Sequence, residues 1–472
     1  MNRMLINGNL VEGQGELREV LNPYSSKKLG SVSVGTEKDL AEALNAAEVA
    51  FDTWKNVPRY ERQALLRNMA QKFRDRQSHL VELLIEEIGK PLTLAQGEVS
   101  RLIKTFELAA DSLFSWGIHA LPADLEPRGI GYRITEERFP LGTILALTPY
   151  NWPYNLAAHK IAPAIAVGAT IVVKPSPKSL LCNIYLGQLI HEAGCPPGVV
   201  NVVDAPVASF PQILNHPAIK VLSFTGSAEV GWNLKKECPP NIPVTLELGG
   251  NAFAVVMDDG DIEWAIERIL PAAFGYAGQV CISIQHIIVH KDIYMLFKDR
   301  LLFRLKQMPF GDPSKPDTVS GPLINMLAAD RIDEFINSNK NYIIHQYGRR
   351  AGTVVPPTII ECDVNHRNLP GIDQELFGPV ATLSQFRDIQ EAIDLVNASP
   401  FGIQVGIFTN RAKESELFYQ NVNVGGVIIN DTPNLRFDWF AYGGEKRSGF
   451  GREGITYAMD AFSSVKCKVE RY

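Results

Sequence analysis

Gly142-Thr143-Ile144-Leu145-Ala146-Leu147-Thr148 and Thr170-Ile171-Val172-Val173-Lys174 are short apolar runs joined by a stretch of helical character. Continuous rather than alternating apolar runs read as strands buried on both faces, which is how parallel strands with helical crossovers look. Runs of the same kind recur at 199–203, 220–224, 252–257 and 285–290. This spacing predicts an α/β fold built on doubly wound parallel sheets. Upstream, residues 36–117 read as long amphipathic helices. One is expected over 59–89, where Leu65, Leu66, Met69, Phe73, Leu80, Leu83 and Leu84 fall near helical spacing and Gly89-Lys90-Pro91 ends the pattern. A chain of 472 residues exceeds a single hydrophobic core, so two large domains are expected.

Net charge is −6 with acids and bases interspersed, so no basic stripe offers itself to nucleic acid. The N-terminus has no long apolar core of a leader, and no run approaches the ~20 apolar residues of a membrane span. A cytoplasmic metabolic enzyme with no membrane partner is the expectation. The six cysteines form no C-x-x-C pair, which argues against a disulfide framework and against a metal site.

Two segments stand apart. Residues 129–139 alternate apolar and polar side chains as an exposed strand does, and 461–469 do so more loosely. Unpaired strand edges need a cover, so each reads either as a subunit-pairing strand or as a solvated hairpin.

Cys281 follows Phe274-Gly275-Tyr276-Ala277-Gly278-Gln279-Val280, and Glu247 lies in Leu246-Glu247-Leu248-Gly249-Gly250. A thiol and a separate carboxylate, each beside glycine-rich backbone, are the groups needed to make and then hydrolyse a thioester. Residue type by itself favours a buried structural role for Cys281. Glu247 is harder to assign that way, because a glutamate inside an apolar run needs a partner or a task.

The run 221–224 leads into Thr225-Gly226-Ser227-Ala228-Glu229-Val230-Gly231 and a helix. Strand, glycine turn and helix N-terminus make an anion site; Ser227 as a simple helix cap is the alternative. Lys174, at the carboxyl end of a strand, lies on the ligand side of an open α/β sheet or else faces solvent.

Taken in order, Thr148-Pro149-Tyr150-Asn151-Trp152-Pro153, Lys174-Pro175-Ser176, Phe224-Thr225-Gly226-Ser227, Leu246-Glu247-Leu248-Gly249-Gly250, Gly278-Gln279-Val280-Cys281, Glu375-Leu376-Phe377-Gly378-Pro379 and Tyr442-Gly443-Gly444 resemble the aldehyde dehydrogenase superfamily over essentially the whole chain. The resemblance implies oxidation of an aldehyde to a carboxylic acid with NAD or NADP. Cys281 would be the nucleophile, Asn151 a donor to the oxyanion, and Glu247 the base for water. Lys174 and Glu375 would bind the riboses and Ser227 the pyrophosphate. Thr148, Pro149, Tyr150, Ser176, Pro177, Gly226, Val230, Leu248, Gly249 and Phe377 would complete the cofactor site. The implied division is a cofactor domain over 1–117 and 139–246, a catalytic domain over 247–452, and an oligomerisation hairpin and arm over 118–138 and 453–472. A homodimer or homotetramer follows from that arm.

Within the superfamily, Asn155-Leu156-Ala157-Ala158-His159-Lys160-Ile161-Ala162-Pro163-Ala164, Ala277-Gly278-Gln279-Val280-Cys281-Ile282-Ser283, Ile429-Asn430-Asp431 and Gly451-Arg452-Glu453-Gly454 look like the branch containing lactaldehyde and phosphonoacetaldehyde dehydrogenases. By family position, Arg101, His159 and Arg436 would approach the substrate and favour a short aldehyde with a polar or anionic tail. Salt bridges for the arginines and a core position for the histidine are the alternative. Phosphonate enzymes can carry an arginine just before the nucleophile; Val280 stands there, which favours a smaller or less charged substrate. NAD-preferring relatives often carry a glutamate three residues after the lysine. Pro177 and then Lys178 stand here, so dual use of NAD and NADP is expected. A CoA-acylating enzyme would need no base at Glu247, and a catalytically silent relative would lack Cys281 or Asn151.

Overall fold

The computed structural model describes residues 3–206, 213–362 and 370–472. Two large sheets carry the chain. In the first, parallel strands lie in the order Val244–Glu247, Ile219–Thr225, Thr143–Leu147, Thr170–Lys174 and Val200–Val202. Antiparallel strands close its edges, Gly449–Phe450 on one side and Met4–Ile6 with Asn9–Val11 on the other. The second sheet runs Ile343–Gln346, Thr358–Glu361, Val380–Phe386, Ile284–His290, Ala252–Val256, Gln404–Phe408 and Gly426–Ile429, parallel except for its first pair.

Each expected strand is present, with ends shifted by at most two residues at most positions, because the apolar runs are buried on both faces. Alternate residues of one strand feed different cores. Ile144, Ala146, Ile171 and Val173 pack under the helices Arg59–Asp75, Leu92–Ser112 and Pro153–Val167, whereas Leu145, Leu147 and Val172 meet Leu40, Leu44 and Leu234 from the other side. That is the doubly wound arrangement. Among the described residues no helix is long and apolar enough to cross a membrane.

One expectation changes, and the pairing of the two outer segments and the return of the chain become explicit. The helix expected over 59–89 is two helices, Arg59–Asp75 and Gln77–Ile88, because Arg76 leaves helical geometry at φ −112°, ψ 16°. Both segments bury apolar residues, so the periodicity continues across a change of direction that it cannot register. The two alternating segments pair with each other: Tyr132–Pro140 runs antiparallel to Ser463–Arg471 from Pro140↔Ser463 to Tyr132↔Arg471, and Ile118–Leu121 lies on the far side of Tyr132–Pro140. Neither needs another subunit to complete that pairing. Finally, the chain re-enters the first unit before residue 452, since Gly449–Phe450 pairs with Val244–Glu247 and the helix Ile455–Ala461 packs against Pro153–Val167.

One buried charge pair fixes the entry to the helix Pro153–Val167. Its N-terminus has no capping side chain of its own. Glu98, from the helix Leu92–Ser112, accepts hydrogen bonds from the Tyr154 and Asn155 amides (2.8 and 3.2 Å) and pairs with Lys90. Both side chains of the pair are fully buried, and the Lys90 ammonium lies 3.7 Å from the centre of the Trp152 ring. A carboxylate there satisfies otherwise orphaned amides and the positive end of the helix. Burial lowers the Lys90 pKa to about 8 against the pull of Glu98. Lys90→Met should cost about 3–5 kcal/mol by stranding the carboxylate, seen as a lower thermal midpoint, and Lys90→Met/Glu98→Gln should recover much of it. Equal midpoints for wild type and Lys90→Met would show that the pair carries no such weight.

Candidate active site

The carboxyl ends of four neighbouring strands, Val244–Glu247, Ile219–Thr225, Thr143–Leu147 and Thr170–Lys174, open on one cavity of about 800 Å³. Every residue singled out above for the cofactor lines it, from Thr148 to Phe377, together with Asn151 and Cys281. Ser227 stands at the N-cap position of the helix Ala228–Glu237, but its hydroxyl makes no capping bond. Lys174 does not face solvent: it is 5% exposed, and its ammonium lies 3.5 Å from Asp204, which also accepts from Arg18 at 3.2 Å. The Glu375 carboxylate arches over Gly249 and accepts from the Gly250 amide at 3.2 Å. A Cβ on Gly249 would sit 2.2 Å from a Glu375 oxygen, so only glycine leaves that oxygen its place. Burial raises the Glu375 pKa to about 7.

Cys281 is delivered by a strained loop. Tyr276, Ala277 and Gly278 have φ of 52°, 53° and 68° in succession. Only the glycine adopts this left-handed geometry without penalty; each of the others costs roughly 1–2 kcal/mol. Gln279, to which the sequence reading gave no role of its own, holds the loop. Its amide donates to the carbonyls of Tyr276 and Pro322 (both 3.2 Å) and accepts from the Ile324 amide (2.9 Å) and the Tyr150 hydroxyl (3.1 Å). The Gln279 carbonyl in turn accepts from the Asn151 side-chain amide at 2.9 Å. Asn151 is thereby tied to the backbone two residues before the thiol. The Cys281 Sγ lies 3.1 Å from the Tyr442 hydroxyl, and burial pushes the thiol pKa up to about 11.

Glu247 ends the strand Val244–Glu247, is 3% exposed, and among the described residues has no hydrogen-bond partner on either oxygen. Burial, then the neighbouring Glu453 charge, raises its pKa well above the usual carboxylate range, against Arg436, Lys160 and Arg452. Its charge acts on Cys281 in turn, pushing the thiol up. Glu453 pairs with Lys160, which also donates to Ser223 at 2.9 Å.

Arg101, His159 and Arg436 do not line the cavity, nor do they form three free cations. Asp438, a residue the sequence reading passed over, accepts from Arg101 through Nε (3.2 Å) and Nη2, and from His159 Nε2 at 2.8 Å. Burial works against the Asp438 charge, but these two partners hold its carboxyl well below the usual range. Burial, then Arg436, lowers the His159 pKa; Nε2 faces Asp438, and Nδ1 has no partner among the described residues. Arg436 is different. It lies 3.7 Å over the Tyr442 ring and 4.0 Å from Glu453, and its Nε and Nη2 have no hydrogen-bond partner among the described residues. No signal in the sequence marked Asp438 as the shared partner, because it becomes one only through the fold.

Arg331, on the helix Met326–Ser338, also lines the cavity beside Lys178 and donates to the Leu376 carbonyl at 2.6 Å.

The aldehyde dehydrogenase family model matches residues 10–468, and the chain belongs to that family. It is 34% identical to the 3-sulfolactaldehyde dehydrogenase of Priestia aryabhattai over 98% of this chain and 96% of the relative. It is equally similar, at 34%, to a lactaldehyde dehydrogenase of Methanococcus aeolicus, over 98% of each chain. The solved structure of a glyceraldehyde-3-phosphate dehydrogenase from Methanocaldococcus jannaschii complexed with NADP superposes with a TM-score of 0.91 at 33% identity, over 96% of this chain and 99% of that one.

If Glu375 binds a ribose of the cofactor, Gly249→Ala should displace its carboxylate and weaken NAD(P) binding by about tenfold while leaving the melting temperature nearly unchanged, since a lost charge-assisted hydrogen bond is worth roughly 1.5–3 kcal/mol. Unaltered cofactor affinity by fluorescence titration would remove Glu375 from that role.

Proposed function

We propose that the protein oxidises short aldehydes with a hydroxyl or anionic tail to carboxylic acids, using NAD or NADP, through a thioester on Cys281. The observation that carries this reading is the placement of Cys281: it lines the cavity, with the Asn151 amide tied to its loop and the unpartnered Glu247 carboxylate beside it. The names of the relatives point the same way, since sulfolactaldehyde, lactaldehyde and glyceraldehyde 3-phosphate are all short and polar.

The cavity fits a dinucleotide: Ser227 stands at a helix N-terminus where its hydroxyl makes no capping bond, Gly226 and Gly249 line the wall, and the Lys174 and Glu375 side chains reach into it. In this reading Lys174 and Glu375 hold the riboses and Ser227 the pyrophosphate. When bound, the dinucleotide supplies the hydride acceptor. The Cys281 thiolate attacks the carbonyl carbon, forming the S–C bond. The carbonyl electrons move to oxygen, where the Asn151 amide and the Cys281 N–H donate to the oxyanion. After oxidation to the thioester, Glu247 takes a proton from water as its oxygen attacks. The C–S bond breaks and the thiolate is restored. Deprotonated Glu247 is the active form, so its raised pKa makes this step faster as pH rises.

For the tail, of the three basic residues Arg101, His159 and Arg436 the last is the one with side-chain donors left unpaired among the described residues, and its charge is felt at Cys281. Arg101 and His159 act through Asp438, shaping its surroundings rather than meeting substrate as free charges. A charge-assisted hydrogen bond to Arg436 is worth about 1.5–3 kcal/mol, and tenfold discrimination needs only about 1.4. Short polar aldehydes should therefore exceed hexanal by at least about tenfold in kcat/KM, with the gap narrowed by Arg436→Ala, and Cys281→Ser should abolish all oxidation. Equal activity on both aldehyde types, unchanged in Arg436→Ala, would contradict the substrate assignment; turnover by Cys281→Ser would contradict the mechanism.

Cofactor choice follows from charge. Pro177 leaves no carboxylate to repel a 2′-phosphate, and Lys178 and Arg331 both line the cavity. NADP should be used at least as well as NAD, and Lys178→Ala should lower kcat/KM for NADP more than for NAD. A large NAD preference with no measurable NADP binding would refute this.

The cytoplasm is the proposed location. A homodimer or homotetramer is proposed to form through the outer strand Ser463–Arg471, whose Val465 and Val469 are exposed. A monomer in sedimentation would overturn that assembly.

A further inference from the structure

The Tyr442 hydroxyl lies 3.1 Å from the sulfur of Cys281, and nothing in the reaction as described uses it. The tyrosine is held from both sides. Its amide donates to the Glu453 carbonyl at 2.9 Å, and its carbonyl accepts from the Glu453 amide at 2.6 Å. Its ring is buried and carries the Arg436 guanidinium 3.7 Å over its face. The phenol is therefore fixed on the thiol.

The bond has a direction that depends on the state of the sulfur. With a neutral thiol either atom can donate. Once Cys281 ionises, the only hydrogen left between the two atoms is the phenol's, so the bond must run from O–H to sulfur and becomes charge-assisted. The phenol does not compete for ionisation, because burial, then the Cys281 charge, raises its own pKa well above its ordinary value. A cation over the ring face draws density out of the π system and makes the hydroxyl a stronger donor.

We propose that Tyr442 is a catalytic residue: its hydroxyl donates to Cys281 Sγ and selectively stabilises the attacking thiolate, with Arg436 polarising the phenol from above. On ionisation in the free enzyme the thiol proton passes to water and the phenol proton stays on oxygen. When sulfur bonds to the aldehyde carbon its charge moves to the carbonyl oxygen. The phenol bond weakens at that point, while the Asn151 amide and the Cys281 N–H take over the charge. This division of work answers a problem that burial creates, since the desolvated thiol is otherwise a weak acid.

The inference rests on Cys281 being the nucleophile, but its test does not need turnover. Tyr442→Phe keeps the ring, its packing and the arginine stack, and removes one oxygen. Iodoacetamide labelling of the Cys281 peptide, quantified by mass spectrometry across pH without substrate or cofactor, reads the thiolate population directly. The midpoint should move up by about one pH unit in Tyr442→Phe, with about tenfold slower labelling at pH values below it. The pH dependence of the NAD(P)H burst should shift in parallel, and cofactor affinity and melting temperature should stay near wild type. A midpoint that is unchanged or lower would overturn the proposal, as would a uniform slowing at every pH, which is what a packing role predicts. Oxidation surviving in Cys281→Ser would defeat the dehydrogenase mechanism instead, and the labelling midpoints would still decide whether the phenol holds the thiolate.

Discussion

The chain crosses from the first sheet to the second in four residues, 248–251, and that short crossing governs the rest of the site. Glu247 is the last residue of a strand paired on both sides, with Thr225 and with Gly449, and Ala252 is the first residue of a strand in the other sheet. With so little chain between them, the two sheets must come together at this point. Gly250 lies so close to the nucleophile loop that a Cβ there would sit 2.7 Å from the Cys281 carbonyl oxygen, and the Glu375 carboxylate fills the space a Cβ on Gly249 would need. Asn251 secures the crossing by donating to the Gly371 and Ile372 carbonyls and accepting from Ser399. A carboxylate from one unit and a thiol from the other thus become neighbours by construction.

Such a junction concentrates charge where water is scarce. Glu247, Glu453 and Lys160 are buried, the Arg436 side chain is 6% exposed, and Glu247 has no hydrogen-bond partner among the described residues. Burying charges costs more than their mutual attraction returns in most cases, so this cluster is poor evidence for stability and good evidence for chemistry. The strained backbone at Tyr276 and Ala277 belongs to the same pattern: Gln279, bonded to Tyr276, Pro322 and Ile324, and the Tyr276 hydroxyl, which donates to the Ile88 carbonyl, hold it in place.

Much of this was legible in the sequence, and the reason is locality. Apolar runs of five to seven residues show as strands wherever they are buried on both faces, and a glycine pair after Glu247 or a glycine before Ser227 announces a turn at a strand end. Those turns are where the cavity opens. What stayed hidden depends on residues far apart in the chain. Asp438 claims Arg101 and His159 from two different helices, Ser463–Arg471 finds Tyr132–Pro140, and Tyr442 meets Cys281 across a separation of 161 residues. The bend at Arg76 escaped for a different reason, since apolar periodicity continues through it. For the basic residues near the substrate site, free charges and salt bridges both stayed open, because a sequence does not show which carboxylate will reach them.

The central claim is that Cys281 and Glu247 divide the reaction between them, one forming the thioester and the other opening it. It is tested most directly by mass spectrometry of Glu247→Gln quenched in acid after mixing with NADP and a short hydroxyaldehyde. The account predicts a persistent mass increase equal to the acyl group, confined to the peptide carrying Cys281, at times when the wild-type enzyme has returned to its free form. Unmodified protein throughout, or an adduct on another residue, would contradict it.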